Sequence, residues 1–127
     1  MRGEAVLTLA DTEYPLRPSF EAIVAFERAT GMTRYQLADA ANSNALTLET
    51  MGVVAAELIR AHAKANEDAD MARVRPERIA QLIYEAGSFG ISLQLALVLM
   101  RAAGGGYTIE GEAKKVGKNI PAIPTAA

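Results

Sequence analysis

Residues 88 to 103, SFGISLQLALVLMRAA, constrain this chain more than any other stretch. Between Ile91 and Met100 only Ser92 and Gln94 interrupt the apolar residues. A helix written this way is apolar on nearly every side and is expected to be enclosed, which makes it the expected central helix. Its sixteen residues would cover about 24 Å, short of the roughly 30 Å hydrocarbon core of a bilayer. The expectation is therefore a core helix and no membrane partner.

One helix of this kind needs a domain to bury it, and 127 residues suffice for one core and not for two. Half the residues are hydrophobic but only 6% are aromatic, so small apolar side chains, chiefly Ala, carry that fraction. Such a composition favours helices packed closely together. Thirteen basic against fifteen acidic residues leave a formal charge of −2, which gives no bulk electrostatic case for nucleic acid. The absence of Cys removes disulfide scaffolds, thiolate zinc sites and cysteine nucleophiles together. The first residues, MRGEAVLTLADTEY, carry Glu4 and too short an apolar run for a secretory signal, so a cytoplasmic location is expected.

Residues 4 to 9 alternate as a strand does, with Ala5, Leu7 and Leu9 on one face, and residues 13 to 17 place Tyr14 and Leu16 on the matching side. The pair reads as a β-hairpin. Pro15 lacks an N–H and has to sit where that group would point away from the partner strand. A two-residue Asp11-Thr12 turn would violate this, so a four-residue loop from Ala10 to Glu13, with Leu9 opposite Tyr14, is expected.

Helix punctuation follows. Ser19 is a good N-cap for a helix from Phe20 to about Thr30, stopped by Gly31. Thr33 with Gln36 makes a capping box for a short helix that dissolves at Asn42-Ser43-Asn44. Thr47 starts a third, running to about Ala65, and residues 66 to 70 form an acidic, exposed break. Pro76 opens a fourth helix with the stripe Ile79, Leu82, Ile83 and Ala86, stopped at Gly87. A short link at Gly87-Ser88 predicts an antiparallel helical hairpin with the apolar helix. The expected fold is α+β and mainly α: an N-terminal hairpin followed by about five helices around a central apolar C-terminal helix. Residues 1–106 form one globular domain, and residues 107–127 are expected to be a flexible tail. The expected core is Leu93, Leu95, Ala96, Leu97, Leu99 and Met100, with Ile79, Leu82 and Ile83 packed on it.

No residue set stands out for catalysis. His62 is the sole histidine, and Glu57, Glu67 and Asp68 do not share a helical face with it, so no metal is expected. Gly104-Gly105-Gly106 follows a helix and not a strand, which argues against a phosphate loop. Glu21 with Glu27, and Glu49 with Glu57, read as solvated helix faces, as does the mixed charge around Arg73, Arg75 and Arg78. The chain is expected to be no enzyme and to carry no cofactor. Leu7, Leu9, Tyr14, Leu16, Phe20, Ile23 and Phe26 are more large apolar side chains than one helical hairpin covers. They predict a groove between the first helix and the β-hairpin, with Tyr14, Leu16, Phe20, Ile23 and Phe26 contacting a helical partner. The alternative is that they complete the core or a homo-oligomer interface.

The opening order of motifs adds a family. Arg2-Gly3-Glu4, then Tyr14-Pro15-Leu16-Arg17-Pro18-Ser19-Phe20-Glu21-Ala22, then Phe26-Glu27-Arg28-Ala29-Thr30-Gly31 resembles small phage tail proteins of gene transfer agents and related prophages. The resemblance is strongest over residues 2–31, persists weakly through the Pro76 helix and the Gly87 hairpin, and covers none of residues 107–127. Asp11-Thr12 replaces the Asp-Gly expected in such a turn, and Arg75 stands where a Ser or Thr cap would precede Pro76. The family is described as tail assembly chaperones or tail-tube-associated proteins. The resemblance implies a non-enzymatic role in a bacterial cytoplasm, binding a helical tail component such as the tape-measure protein. The second reading is a structural place in the tail tube or tail completion ring, and hence in the particle. A small helical DNA-binding regulator is the remaining, more remote reading.

Overall fold

Strand β1 (Ala5–Leu9) pairs antiparallel with β2 (Thr12–Leu16) in the computed structural model, which describes residues 5–105. Leu7, Leu9 and Leu16 are buried on the face anticipated for them, and Tyr14 is half-buried beside them. The loop differs from expectation. Leu9 lies opposite Thr12, not Tyr14, and Tyr14 lies opposite Leu7. The turn has two residues, Ala10 and Asp11, with φ of 51° and 64°. Positive φ at both central positions is what lets so short a turn follow the strand twist. The closing pair of such a turn is hydrogen-bonded and the pairs alternate, so Pro15, opposite Val6, falls at a non-hydrogen-bonded pair. The constraint from proline is met by moving the turn one residue towards the N-terminus.

The helices begin and end where local chemistry places them. In α1 (Phe20–Thr30) the Ser19 hydroxyl accepts from the Ala22 N–H at 3.1 Å, and Gly31 closes the helix at φ 72°. In α2 (Arg34–Asn42) the Thr33 and Gln36 side chains each accept the other residue's backbone N–H, at 3.1 and 2.9 Å. In α3 (Leu48–Ala65) the Thr47 hydroxyl accepts from the Thr50 N–H at 3.0 Å. A single 3-10 turn at Met71–Arg73, not anticipated, precedes α4 (Pro76–Ala86). Arg75 gives α4 no side-chain cap, and Pro76 at its first turn removes one donor that would need capping. The last helix is α5 (Ser88–Ala103).

The layout is the expected α+β arrangement of a hairpin and five helices, but its centre is elsewhere. Helix α3, not α5, is central: it packs against α1, β2, the 3-10 turn, α4 and α5. Its interior is Met51, Val54, Ala55, Ala56, Leu58, Ile59 and Ala63. Gly52 faces α4 so closely that an added Cβ would meet the Pro76 carbonyl oxygen at 2.5 Å and the Ala80 Cβ at 2.9 Å. The Arg17 N–H donates to the Leu58 carbonyl at 3.1 Å, tying the end of the hairpin to α3.

The antiparallel pair of α4 and α5 does not form. Gly87 alone links them, and the chain bends by 119° there. A single residue, here at φ 105°, leaves too little chain to bring two helices side by side. Helix α4 instead buries Ile79, Leu82 and Ile83 chiefly against α3, while its Ala86 is exposed, and α5 packs chiefly on α2. Two polar links hold that second arrangement. The Ser92 hydroxyl donates to the Ala41 carbonyl at 2.9 Å. Arg34 donates through Nε to the Ala103 carbonyl at 2.8 Å and through Nη1 to Glu27 Oε2 at 3.1 Å. The hydrogen bond to Glu27 raises the Arg34 pKa above its ordinary value, and the guanidinium, charged in any case, joins the ends of α1 and α5. Among the described residues no single helix is long and apolar enough to cross a membrane. The segment 107–127, expected as a tail, and Arg2-Gly3-Glu4 lie outside the described residues.

Candidate protein-interaction face

Helix α5 divides its apolar residues between two faces. Ile91, Leu95, Ala96, Val98, Leu99, Ala102 and Ala103 are buried. Phe89 is 62% exposed, Leu93 40%, Leu97 58% and Met100 52%. Three of the six expected core residues, Leu93, Leu97 and Met100, therefore lie on the surface. The reason is geometric: α5 sits at one side of α3, covered by α2 and touched by β1, so among the described residues its far side meets no element. The exposed four stand at i, i+4, i+8 and i+11, which is one continuous stripe of a helix.

The β-hairpin extends this stripe into a groove. Ala5, Val6, Leu7 and Leu16 face Gln94, Leu97, Val98 and Arg101 across a recess of about 180 Å³. Val6 is itself 44% exposed. Drug-sized ligands occupy pockets of roughly 300 Å³ upward, so this recess suits side chains projecting from another protein better than a small molecule. Exposed apolar surface of this continuity is the form that interaction sites on proteins often take.

The residues expected to form a partner groove are dispersed. Leu16 and Phe26 are buried in the domain's own core and present no surface, Leu16 at the bottom of the recess just described. Tyr14 and Ile23 are half-buried against that core. Phe20 alone is exposed. The groove expected between the first helix and the hairpin thus gives way to one between the hairpin and α5. Phe89, Leu93, Leu97 and Met100 were missed as surface because near-continuous hydrophobicity reads as burial all round, and Val6 because it stands alone as an apolar residue on the outward face of its strand. Residue size does not separate the two faces, since Leu95 and Leu99 are buried while Leu93 and Leu97 are exposed; the signal available was the helical spacing of 89, 93, 97 and 100 alone.

Several of the charged groups elsewhere have structural partners. Glu27 pairs with Arg34 and Glu57 with Arg60, each at 3.1 Å, and Glu21 lies 3.8 Å from Lys64. Arg60 also donates twice to the Val74 carbonyl, at 3.0 and 2.7 Å, pinning the approach to α4. His62 Nε2 lies 3.2 Å from the Asn66 amide nitrogen, in a recess that Glu13 and Asp68 also line. Among the described residues no group of three or more His, Asp and Glu is placed to hold a metal ion. Compared with family models, curated proteins and solved structures, the chain finds no match in any of the three.

Proposed function

We propose that this chain is a non-enzymatic tail assembly factor of a phage-type particle, binding a helical tail component such as a tape-measure protein in the bacterial cytoplasm. Two things support the reading. The order of motifs over residues 2–31 resembles the tail proteins of gene transfer agents. The observation that carries it is the apolar stripe Phe89, Leu93, Leu97 and Met100, continued across the groove to Val6. A long, apolar-striped helix awaiting enclosure in a tail tube needs its stripe covered, and a helix-in-groove contact with α5 and β1 does that. Gln94 and Arg101 would form a polar rim beside it.

The test measures binding of tape-measure fragments to the wild-type chain and to Leu97→Lys and Val6→Lys. Both positions are exposed, so the variants should fold as judged by circular dichroism, yet bind at least about tenfold more weakly. Unchanged binding by both folded variants would remove the reading. Proteomics of purified particles supplies the second arm, because an assembly factor is depleted from them and a tube component is abundant.

A further inference from the structure

Among the described residues nothing packs where a side chain at Gly90 would stand. The glycine sits within α5 on the exposed side, and a Cβ added there would meet nothing within 4 Å. Gly90 is the third residue of α5, and glycine favours a helix less than alanine does, so its place in the first turn is not explained by packing among the described residues. The same side carries Leu93, Leu97 and Met100, all exposed. A bare backbone flanked by large apolar side chains has the form of a hole flanked by knobs.

We infer that this face pairs with a second copy of the chain, α5 running antiparallel to α5 of the partner across a two-fold axis near Leu95. That axis matches residues whose numbers sum to 190. Leu93 then meets Leu97 of the partner subunit, and Met100 of the partner subunit fills the space above Gly90. Arg101 falls over Phe89 of the partner subunit, where its guanidinium can lie against a ring face. A parallel pairing would instead set Arg101 against its own copy and leave Gly90 against Gly90. Antiparallel packing also opposes the two helix dipoles favourably. A two-fold contact of this sort is self-complementary by construction.

The area is of the right order. Phe89, Leu93, Leu97, Met100 and Val6 together expose apolar surface on the order of 400 Å². A standard interface buries roughly 800 Å² per partner, a little over half of it non-polar, so one copy supplies about the apolar surface that such a contact requires. The pairing does not depend on the tail assembly reading, and it is measured with no client present. If both hold, the second copy protects the face until a client helix displaces it.

Light scattering or sedimentation of the wild-type chain should return twice the 13.5 kDa chain mass, falling to the single mass on dilution. Leu97→Lys should give the single mass with an unchanged circular dichroism spectrum, and Leu93→Glu serves as the second variant if the first unfolds. Gly90→Leu should weaken self-association at least tenfold while leaving the helix intact, an effect that a glycine without a neighbour would not show. The chain has no cysteine, so Gly90→Cys and Met100→Cys variants can be mixed and oxidised. The mixed disulfide should form in preference to either symmetric one. A single mass at every concentration, a double mass that survives Leu97→Lys and Leu93→Glu, or a preferred Gly90→Cys symmetric disulfide would each overturn the pairing. So would a single mass that doubles only after residues 106–127 are removed, which would assign the face to the chain's own C-terminal segment.

Discussion

The Ser92 hydroxyl donates a hydrogen bond to the Ala41 carbonyl oxygen at 2.9 Å, joining α5 to α2 across 51 positions of sequence in the buried interior. The Ala41 carbonyl lies in the last turn of α2, where it also accepts from the Asn44 N–H at 3.2 Å. One polar residue in the most apolar helix of the chain is thus spent on satisfying the end of another helix.

Ser92→Ala should lower the unfolding free energy by about 1 kcal/mol, since it removes one buried hydrogen bond but leaves the carbonyl its second donor. Ser92→Leu should cost more, because it adds volume to a packed site as well. Urea denaturation of the three proteins measures the order, and equal midpoints would show that the bond contributes nothing.

Leu95 and Leu97 should respond in opposite ways to the same change. Leu95 is buried, and Leu95→Asp should cost on the order of several kcal/mol, enough to unfold a domain of marginal stability. Leu97→Asp should shift the unfolding free energy of the single chain by no more than about 0.5 kcal/mol. Denaturant titration of both variants, made dilute, decides whether α5 is enclosed on all sides or on one.

Gly52 sets the distance between α3 and α4. A Cβ placed 2.5 Å from the Pro76 carbonyl oxygen cannot be accommodated without moving backbone. Gly52→Ala should therefore destabilise by about 1–3 kcal/mol despite the better helix propensity of alanine. A rise in melting temperature would mean that the helices separate at no cost.

The hairpin turn is the place where stability can be added. Ala10 and Asp11 both hold positive φ, a conformation that costs an alanine roughly 1–2 kcal/mol. Replacing the pair by Asn-Gly should recover about 1 kcal/mol, visible as a higher melting temperature. Ala10→Val should act in the reverse direction.

The boundaries of α1, α2, α3 and α4 were legible from the chain because each is decided within three or four residues. Ser19 reaches Ala22, Thr33 and Gln36 reach each other, Thr47 reaches Thr50, Gly31 accepts a left-handed φ, and Pro76 fits only a first turn. The inward face of the hairpin was legible too, since alternation assigns Leu7, Leu9 and Leu16 to one side wherever the turn falls. The turn itself was not, because side chains alone do not reveal that Ala10 and Asp11 will be driven into the left-handed region by the pairing of their flanking strands.

Residues 88–103 by themselves determined that a strongly apolar helix exists and that it carries a serine needing a partner. Which side of that helix faces the interior was decided by its neighbours. Hydrophobic burial has no direction of its own, so Leu93, Leu95, Leu97 and Leu99 carry the same preference and compete for a limited interior. The bend at Gly87 turns α4 away onto α3, and α2 covers the side of α5 that presents Ser92. Tertiary packing thereby made α3 the centre and left Leu93, Leu97 and Met100 at the surface, on the face proposed to bind a partner.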